Sequence, residues 1–227
     1  MVCLVTDRCR LAGADAPADR ARRCVLAQLR FAVEAEVEFV QVRERDLSAS
    51  ELAALVREML GVTRGSRTRI IVNDRLDVAL ACGADGVHLR GDSIEVSAAR
   101  RIAPRDFMVG RSVHSFGEAM SATDADYLIA GTVFPSPSKD ESTALLGVDG
   151  LRAIARRVRV PVLAIGGVSE SSIEDLARAG VAGCAAIGLF MAAKRSSGSR
   201  SCRAMPLRAM LEGLRQRFDN CENRSLT

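Results

Sequence analysis

A chain of 227 residues that is 48% hydrophobic and 26% charged has the balance of a folded protein with a sizeable core, which excludes disordered and fibrous classes. The net charge of +4 is modest, and the 32 basic residues comprise 30 Arg and two Lys, Lys139 and Lys194; with one Tyr and no Trp there is little for bases to stack on, so no nucleic-acid partner is expected. No apolar run approaches the roughly 18 residues that a bilayer crossing needs, and Met1 leads straight into a strand-like run with no basic and apolar leader, so a cytoplasmic protein without a membrane partner is expected.

Short β-branched or apolar runs recur along the chain, each followed by a stretch with apolar residues at helical spacing. Strands are predicted at 2–6, 39–43, 69–73, 86–89, 107–111, 127–130, 160–165 and 182–187. Helices are predicted between them at about 17–35, 48–60, 75–82, 94–103, 116–123, 149–158 and 170–179, with a last one at 206–218. Ser48-Ala49-Ser50-Glu51 and Ser169-Glu170-Ser171-Ser172 read as helix starts, and Gly83 and Gly180 stand where helices should stop. Eight strands alternating with helices imply a parallel sheet closed into a single (β/α)8 TIM barrel, one domain spanning residues 1–227. An open doubly wound sheet is the rival arrangement. A Ser- and Arg-rich segment at about 194–205 reads as a mobile link to the last helix. The seven cysteines are odd in number and contain no C-x-x-C pair, so they read as free thiols; whether Cys184 has a redox role is left open.

A barrel places its chemistry at the C-terminal ends of its strands. After the second strand, alternation points Gln41, Arg43 and Arg45 the same way. Two guanidiniums there make an anion clamp, unless they simply pair with Glu44 and Asp46. Asn73-Asp74-Arg75 ends the third strand; an amide and a carboxylate suit a hard cation carrying phosphate, magnesium fitting best, or else an Asx cap of the next helix. His88 on the fourth strand reads as a buried structural imidazole ahead of a catalytic one. Ser112 and His114 at the end of the fifth face the mouth, with no nucleophilic triad legible around them. The long loop after the sixth strand holds Ser136, Ser138 and Lys139, a placed cation beside two hydroxyls or an ordinary surface loop. Glycines after strands seven and eight, among them Gly167 and Gly188 beside Ile187, let backbone N–H groups approach a phosphate, or serve tight turns alone.

Together these segments resemble the thiamine phosphate synthase family and its sister branch, the thiazole tautomerases. The resemblance runs in order through Val5-Thr6-Asp7, 41–45, Val72-Asn73-Asp74-Arg75, Ala84-Asp85-Gly86-Val87-His88, 110–115, Ala125-Asp126-Tyr127, 131–139 and 164–168, covering the chain to about residue 192. It implies that Arg43, Arg45, Asn73 and Lys139 hold the pyrophosphate of a hydroxymethylpyrimidine diphosphate and that Asp74 ligates Mg2+. It further implies that Gln41, Ser112, Ser136 and Ser138 line the two substrates, and that a thiazole phosphate lies on the backbone of Gly167, Ile187 and Gly188. Arg43, Lys139 and Ser112 would be the catalytic groups of a dissociative reaction, in which the pyrimidine methylene cation is caught by the thiazole nitrogen.

Three positions depart from the pattern. The second metal carboxylate of the family falls here on Ser93, with Asp92 one position early, either as its stand-in through a small shift of the loop or as the mark of a weakened metal site. The Gly110-Arg111-Ser112-Val113-His114-Ser115 run is closer to the tautomerase branch, yet the His which that branch carries after the glycine of the sixth-strand loop is Thr132. Two Ser replace the Thr pair ahead of Lys139. The retained clamp favours a synthase. A tautomerase, or a non-catalytic barrel that binds thiazole phosphate, are the alternatives. Small phosphorylated molecules are the expected partners, and the oligomeric state, a homo-oligomer included, is left open.

Overall fold

In a computed structural model the chain closes into a barrel of eight parallel strands in sequence order, β1 to β8, with β8 paired back to β1. The structure describes residues 1–122, 124–136, 144–191, 211–213, 216 and 218. The strands are β1 (Val2–Val5), β2 (Phe39–Val42), β3 (Arg69–Asn73), β4 (Gly86–Leu89), β5 (Met108–Val113), β6 (Tyr127–Gly131), β7 (Val162–Ile165) and β8 (Gly183–Ala186). The helices are α1 (Arg8–Ala12), α2 (Ala18–Glu34), α3 (Ala49–Thr63), α4 (Leu76–Cys82), α5 (Val96–Ile102), α6 (Phe116–Ser121), α7 (Gly147–Arg157) and α8 (Ile173–Arg178). Past β8, residues 211–213, 216 and 218 are helical, within the predicted last helix, and the 194–205 segment lies outside the described residues. Among the described residues no helix is long and apolar enough to cross a membrane.

Strand alternation splits the core in two, because successive side chains of a strand face opposite sides of the sheet. Leu4, Val40, Val72, Val87, Leu128 and Ala164 pack outward against the helices. Cys3, Val5, Phe39, Ile71, Tyr127, Ile129, Leu163 and Ala185 fill the barrel interior. Tyr127 crosses that interior, stacked on Phe39 at 5.4 Å between ring centroids. It fits because its register partner on β5 is Gly110, where a Cβ would come 2.2 Å from Tyr127 Cζ. Cys184 is buried on the outward side, so its thiol faces the helix layer rather than the mouth.

Local signals set the ends of the elements. Ser48 and Glu51 cap α3 reciprocally, with Ser48 N–H donating to Glu51 Oε2 at 2.9 Å and Glu51 N–H to Ser48 Oγ at 3.4 Å. Gly83 ends α4 in the left-handed conformation, φ 66°. Strand β5 runs to Val113, two residues beyond its predicted end, which puts Ser112 on the sheet itself rather than in the following loop. Helix α1 was not expected from the sequence.

Candidate active site

The strand ends enclose a cavity of about 1110 Å³ at one mouth of the barrel. Gln41, Arg43 and Arg45 after β2, Asn73 on β3, Asp92 after β4 and Ser112 on β5 all line it, and so do Ser136 after β6, Gly167 after β7, and Ile187 and Gly188 after β8. Residues separated by up to 147 positions in the chain thus converge as the sequence suggested. Ser138 and Lys139 lie outside the described residues.

The end of β2 separates its charges by sign. Glu44 is buried and accepts from Arg8 N–H at 3.1 Å and from the Arg8 guanidinium at 3.2 Å, while Asp46 takes the same guanidinium at 2.6 and 2.8 Å. Burial pushes the Glu44 carboxyl up, and hydrogen bonds from Thr6 and Arg8 pull it back. With both carboxylates committed to Arg8, neither Arg43 nor Arg45 makes an ion pair among the described residues. Arg43 is held by its N–H on Thr6 Oγ1 at 3.0 Å, and burial followed by the Arg45 charge lowers its pKa. The half-buried Arg43 beside the exposed Arg45 is stabilised by an anion between the two guanidiniums.

Beside the clamp, Gln41 Nε2 donates to Asn73 Oδ1 at 2.9 Å, which fixes both amides. Gln41 Oε1 is buried at the cavity wall with no partner among the described residues, an acceptor that calls for a donor on a ligand.

Asp74 does not line the cavity; it stands next to it. Its backbone is left-handed, φ 65°, a conformation that Asp tolerates better than most residues. It does not cap α4, whose first turn has no side-chain cap. The carboxylate instead accepts from the Ser93 hydroxyl and lies 3.6 Å from Arg90 Nη1, and the other arm of Arg90 meets Asp92 at 2.5 Å. Two carboxylates therefore bracket one guanidinium at the rim. Among the described residues no three His, Cys, Asp or Glu converge as a metal cage. Two carboxylates and a hydroxyl still fit a hard cation that takes its remaining oxygens from phosphate and water. The loop that carries Asp92 is pinned by Arg111, whose guanidinium donates to Gly91 O at 2.9 Å and Ile94 O at 2.7 Å.

The loops after β6 and β7 are zipped together, with Val133 N–H donating to Ile165 O at 2.9 Å and Phe134 N–H to Gly166 O at 3.1 Å. Gly167 has φ 62° and lies so near this partner that a Cβ would fall 2.4 Å from Pro135 O. Among the described residues neither the Gly167 N–H nor the Gly188 N–H donates a hydrogen bond, so both remain to be satisfied at the mouth.

Behind Ser112, the fully buried His88 ring bridges two hydroxyls, Ser112 Oγ at 2.8 Å from Nε2 and Tyr127 OH at 3.3 Å from Nδ1. Burial depresses the His88 pKa to about 3. His114 reaches the cavity with Nδ1 donating to Gly131 O at 2.5 Å, and Glu118 takes its N–H at 2.8 Å. Asp7, Arg10 and Glu118 line the cavity as well and were missed as site residues. The first two follow β1, so searching the end of that strand as the others were searched would have found them.

A family model described as thiamine monophosphate synthase matches residues 11–190. The chain is 44% identical over 160 residues to a thiamine-phosphate synthase of Methanoregula boonei, covering 70% of this chain and 74% of that one. It is 39% identical over 169 residues to a thiamine-phosphate synthase of Chloroflexus aurantiacus, 73% and 78% of the two chains. Among solved structures, a thiamine phosphate pyrophosphorylase from Pyrococcus furiosus superposes with a TM-score of 0.76 at 32% identity, over 97% of this chain and 96% of the other. A 3-hexulose-6-phosphate synthase, at 18% identity and a TM-score of 0.60, shares the fold. From the matched span and these relatives, the chain belongs to the thiamine monophosphate synthase family.

Proposed function

We propose that this protein is a thiamine-phosphate synthase, joining hydroxymethylpyrimidine diphosphate to a thiazole phosphate with release of pyrophosphate. The observation that carries the reading is the pair of guanidiniums that, among the described residues, lack carboxylate partners, in a cavity that also presents N–H groups of Gly167 and Gly188 unpaired among those residues. One anion is met by side-chain charge and the other by backbone dipoles, at the same mouth.

Arg43 and Arg45 hold the diphosphate and stabilise the charge that grows on it as the carbon–oxygen bond breaks. Asn73 orients the same group, and Lys139 adds an ammonium from the loop after β6. Gln41 and Ser112 bind the pyrimidine portion, with Ser136 and Ser138 as further hydroxyl contacts. The backbone at Gly167, Ile187 and Gly188 seats the thiazole phosphate, which places the thiazole nitrogen for capture of the methylene cation. Asp74 and Asp92 would hold Mg2+, which when bound neutralises the leaving diphosphate. Holding it there would require Arg90 to move from between these carboxylates. Catalysis of this kind needs position and charge rather than a nucleophile.

A thiazole tautomerase would need a proton-transferring base at the residue after Gly131. That residue is Thr132, buried at the cavity wall, which has no titratable group to offer.

The test is to incubate the protein with both phosphorylated substrates, with Mg2+ and with a chelator, and to measure thiamine phosphate and pyrophosphate. Equimolar products only with the metal, abolished in Lys139→Ala and Asp74→Ala, are expected. Isomerisation of a carboxythiazole phosphate without metal would instead support the tautomerase, and binding without turnover a non-catalytic barrel.

A further inference from the structure

The protonation of the barrel interior is constrained by its own hydrogen bonds. Tyr127 and His88 are wholly buried, and among the described residues the Tyr127 hydroxyl has one hydrogen-bond partner, His88 Nδ1 at 3.3 Å. The other ring nitrogen, Nε2, faces Ser112 Oγ at 2.8 Å. Burial and the nearby Arg111 keep His88 neutral, so its ring carries a single proton.

Two arrangements are open to that proton. With Nδ1 protonated, the ring donates to the phenol oxygen, and the phenol proton is left buried with nothing to accept it. With Nε2 protonated, Tyr127 donates to Nδ1, Nε2 donates to Ser112 Oγ, and every buried donor has an acceptor. An unmade buried donor weighs against a state by a factor of about ten or more, so the second arrangement dominates.

The consequence falls on Ser112. Its oxygen already accepts from His88, so its own proton has no protein acceptor among the described residues and is directed to the cavity it lines. We propose that Tyr127 and His88 form a fixed relay that holds the Ser112 hydroxyl as a hydrogen-bond donor to substrate, so that the substrate presents an acceptor to it. Both are positioning residues that act through Ser112 and touch no substrate. The identity of the substrate rests on the synthase reading; the relay does not.

The chain has only two histidines, His88 and His114, which makes the tautomer directly measurable. In the ¹⁵N-histidine-labelled protein, long-range ¹H–¹⁵N correlation spectra, assigned with a His114→Gln variant, should show His88 protonated at Nε2 and unchanged between pH 5 and 8. Tyr127→Phe takes away the donor to Nδ1, so it should narrow the preference for Nε2 protonation and lower kcat/KM by about twofold at most. His88→Gln, whose amide can still donate to Ser112, should retain more activity than His88→Met, a ranking that loss of packing alone would not produce. An Nδ1-protonated ring in the unmodified protein would overturn the relay, as would equal kcat/KM in His88→Gln and His88→Met. The spectra decide the relay even if neither substrate is turned over, which would refute the synthase reading alone.

Discussion

Replacing Arg8 with Met removes the group that holds Glu44 and Asp46 away from the arginine clamp. The Arg8 side chain is 10% exposed and that of Glu44 2%, whereas Asp46 at 60% is well solvated, so the cost falls almost wholly on Glu44. A buried carboxylate stripped of its cation costs about 3–5 kcal/mol. Thr6 and the Arg8 backbone N–H would still serve Glu44 and keep the loss toward the lower end. The pH dependence has a definite sign. Glu44 already has a raised pKa in the folded state, and losing Arg8 raises it further. A raised carboxyl favours the folded state at low pH and works against it as pH rises through the folded pKa. The deficit of the variant should therefore be larger at pH 8 than at pH 5. Urea denaturation at both pH values, on Arg8→Met, Glu44→Gln and the double variant, gives the coupling energy. An Arg8→Met variant within about 1 kcal/mol of the parent at pH 8, or a cycle without coupling, would refute a buried pair that sorts the charges.

Two further outcomes follow from the geometry. Gly167→Ala forces a Cβ to within 2.4 Å of Pro135 O at φ 62°, so steady-state kinetics should show KM for the thiazole phosphate raised at least about tenfold while far-UV circular dichroism still reports an intact barrel. His88, neutral in the fold with a pKa near 3 against 6.5 in an open chain, binds its proton only on unfolding; stability should fall by about 1.4 kcal/mol per pH unit below pH 6.5, a slope that chemical denaturation should find missing in His88→Gln.

The strand and helix rhythm was legible because the barrel imposes it: a period of two where strands meet the helix layer, a helical period between, and capping residues such as Ser48 and Glu51 that act within four residues of chain. What escaped the sequence depends on contacts made at long range. Helix α1 has five residues and one buried position, Arg8, so no apolar period announces it; its guanidinium is held by Glu44 and Asp46, 36 and 38 residues onward. For the same reason the choice between an anion clamp and local ion pairing at Arg43 and Arg45 could not be made from the run 41–46 alone. Asp74 could be read as a helix cap because caps are local, and only its left-handed backbone and the reach of Ser93 turn the carboxylate elsewhere. The glycine at 167 was read for phosphate or for a turn; in the fold it also makes room for the neighbouring loop. His88 was rightly seen as buried, but the hydroxyls at its two nitrogens come from β5 and β6 and appear only when the barrel closes.

The most direct test is a crystal structure with pyrophosphate, Mg2+ and a thiazole phosphate bound together. Pyrophosphate within hydrogen-bonding distance of Arg43, Arg45 and Asn73, with the second phosphate on the N–H groups of Gly167 and Gly188 in the same cavity, is the predicted result. Anions bound on another face of the barrel, leaving Arg43 and Arg45 without a ligand, would contradict it.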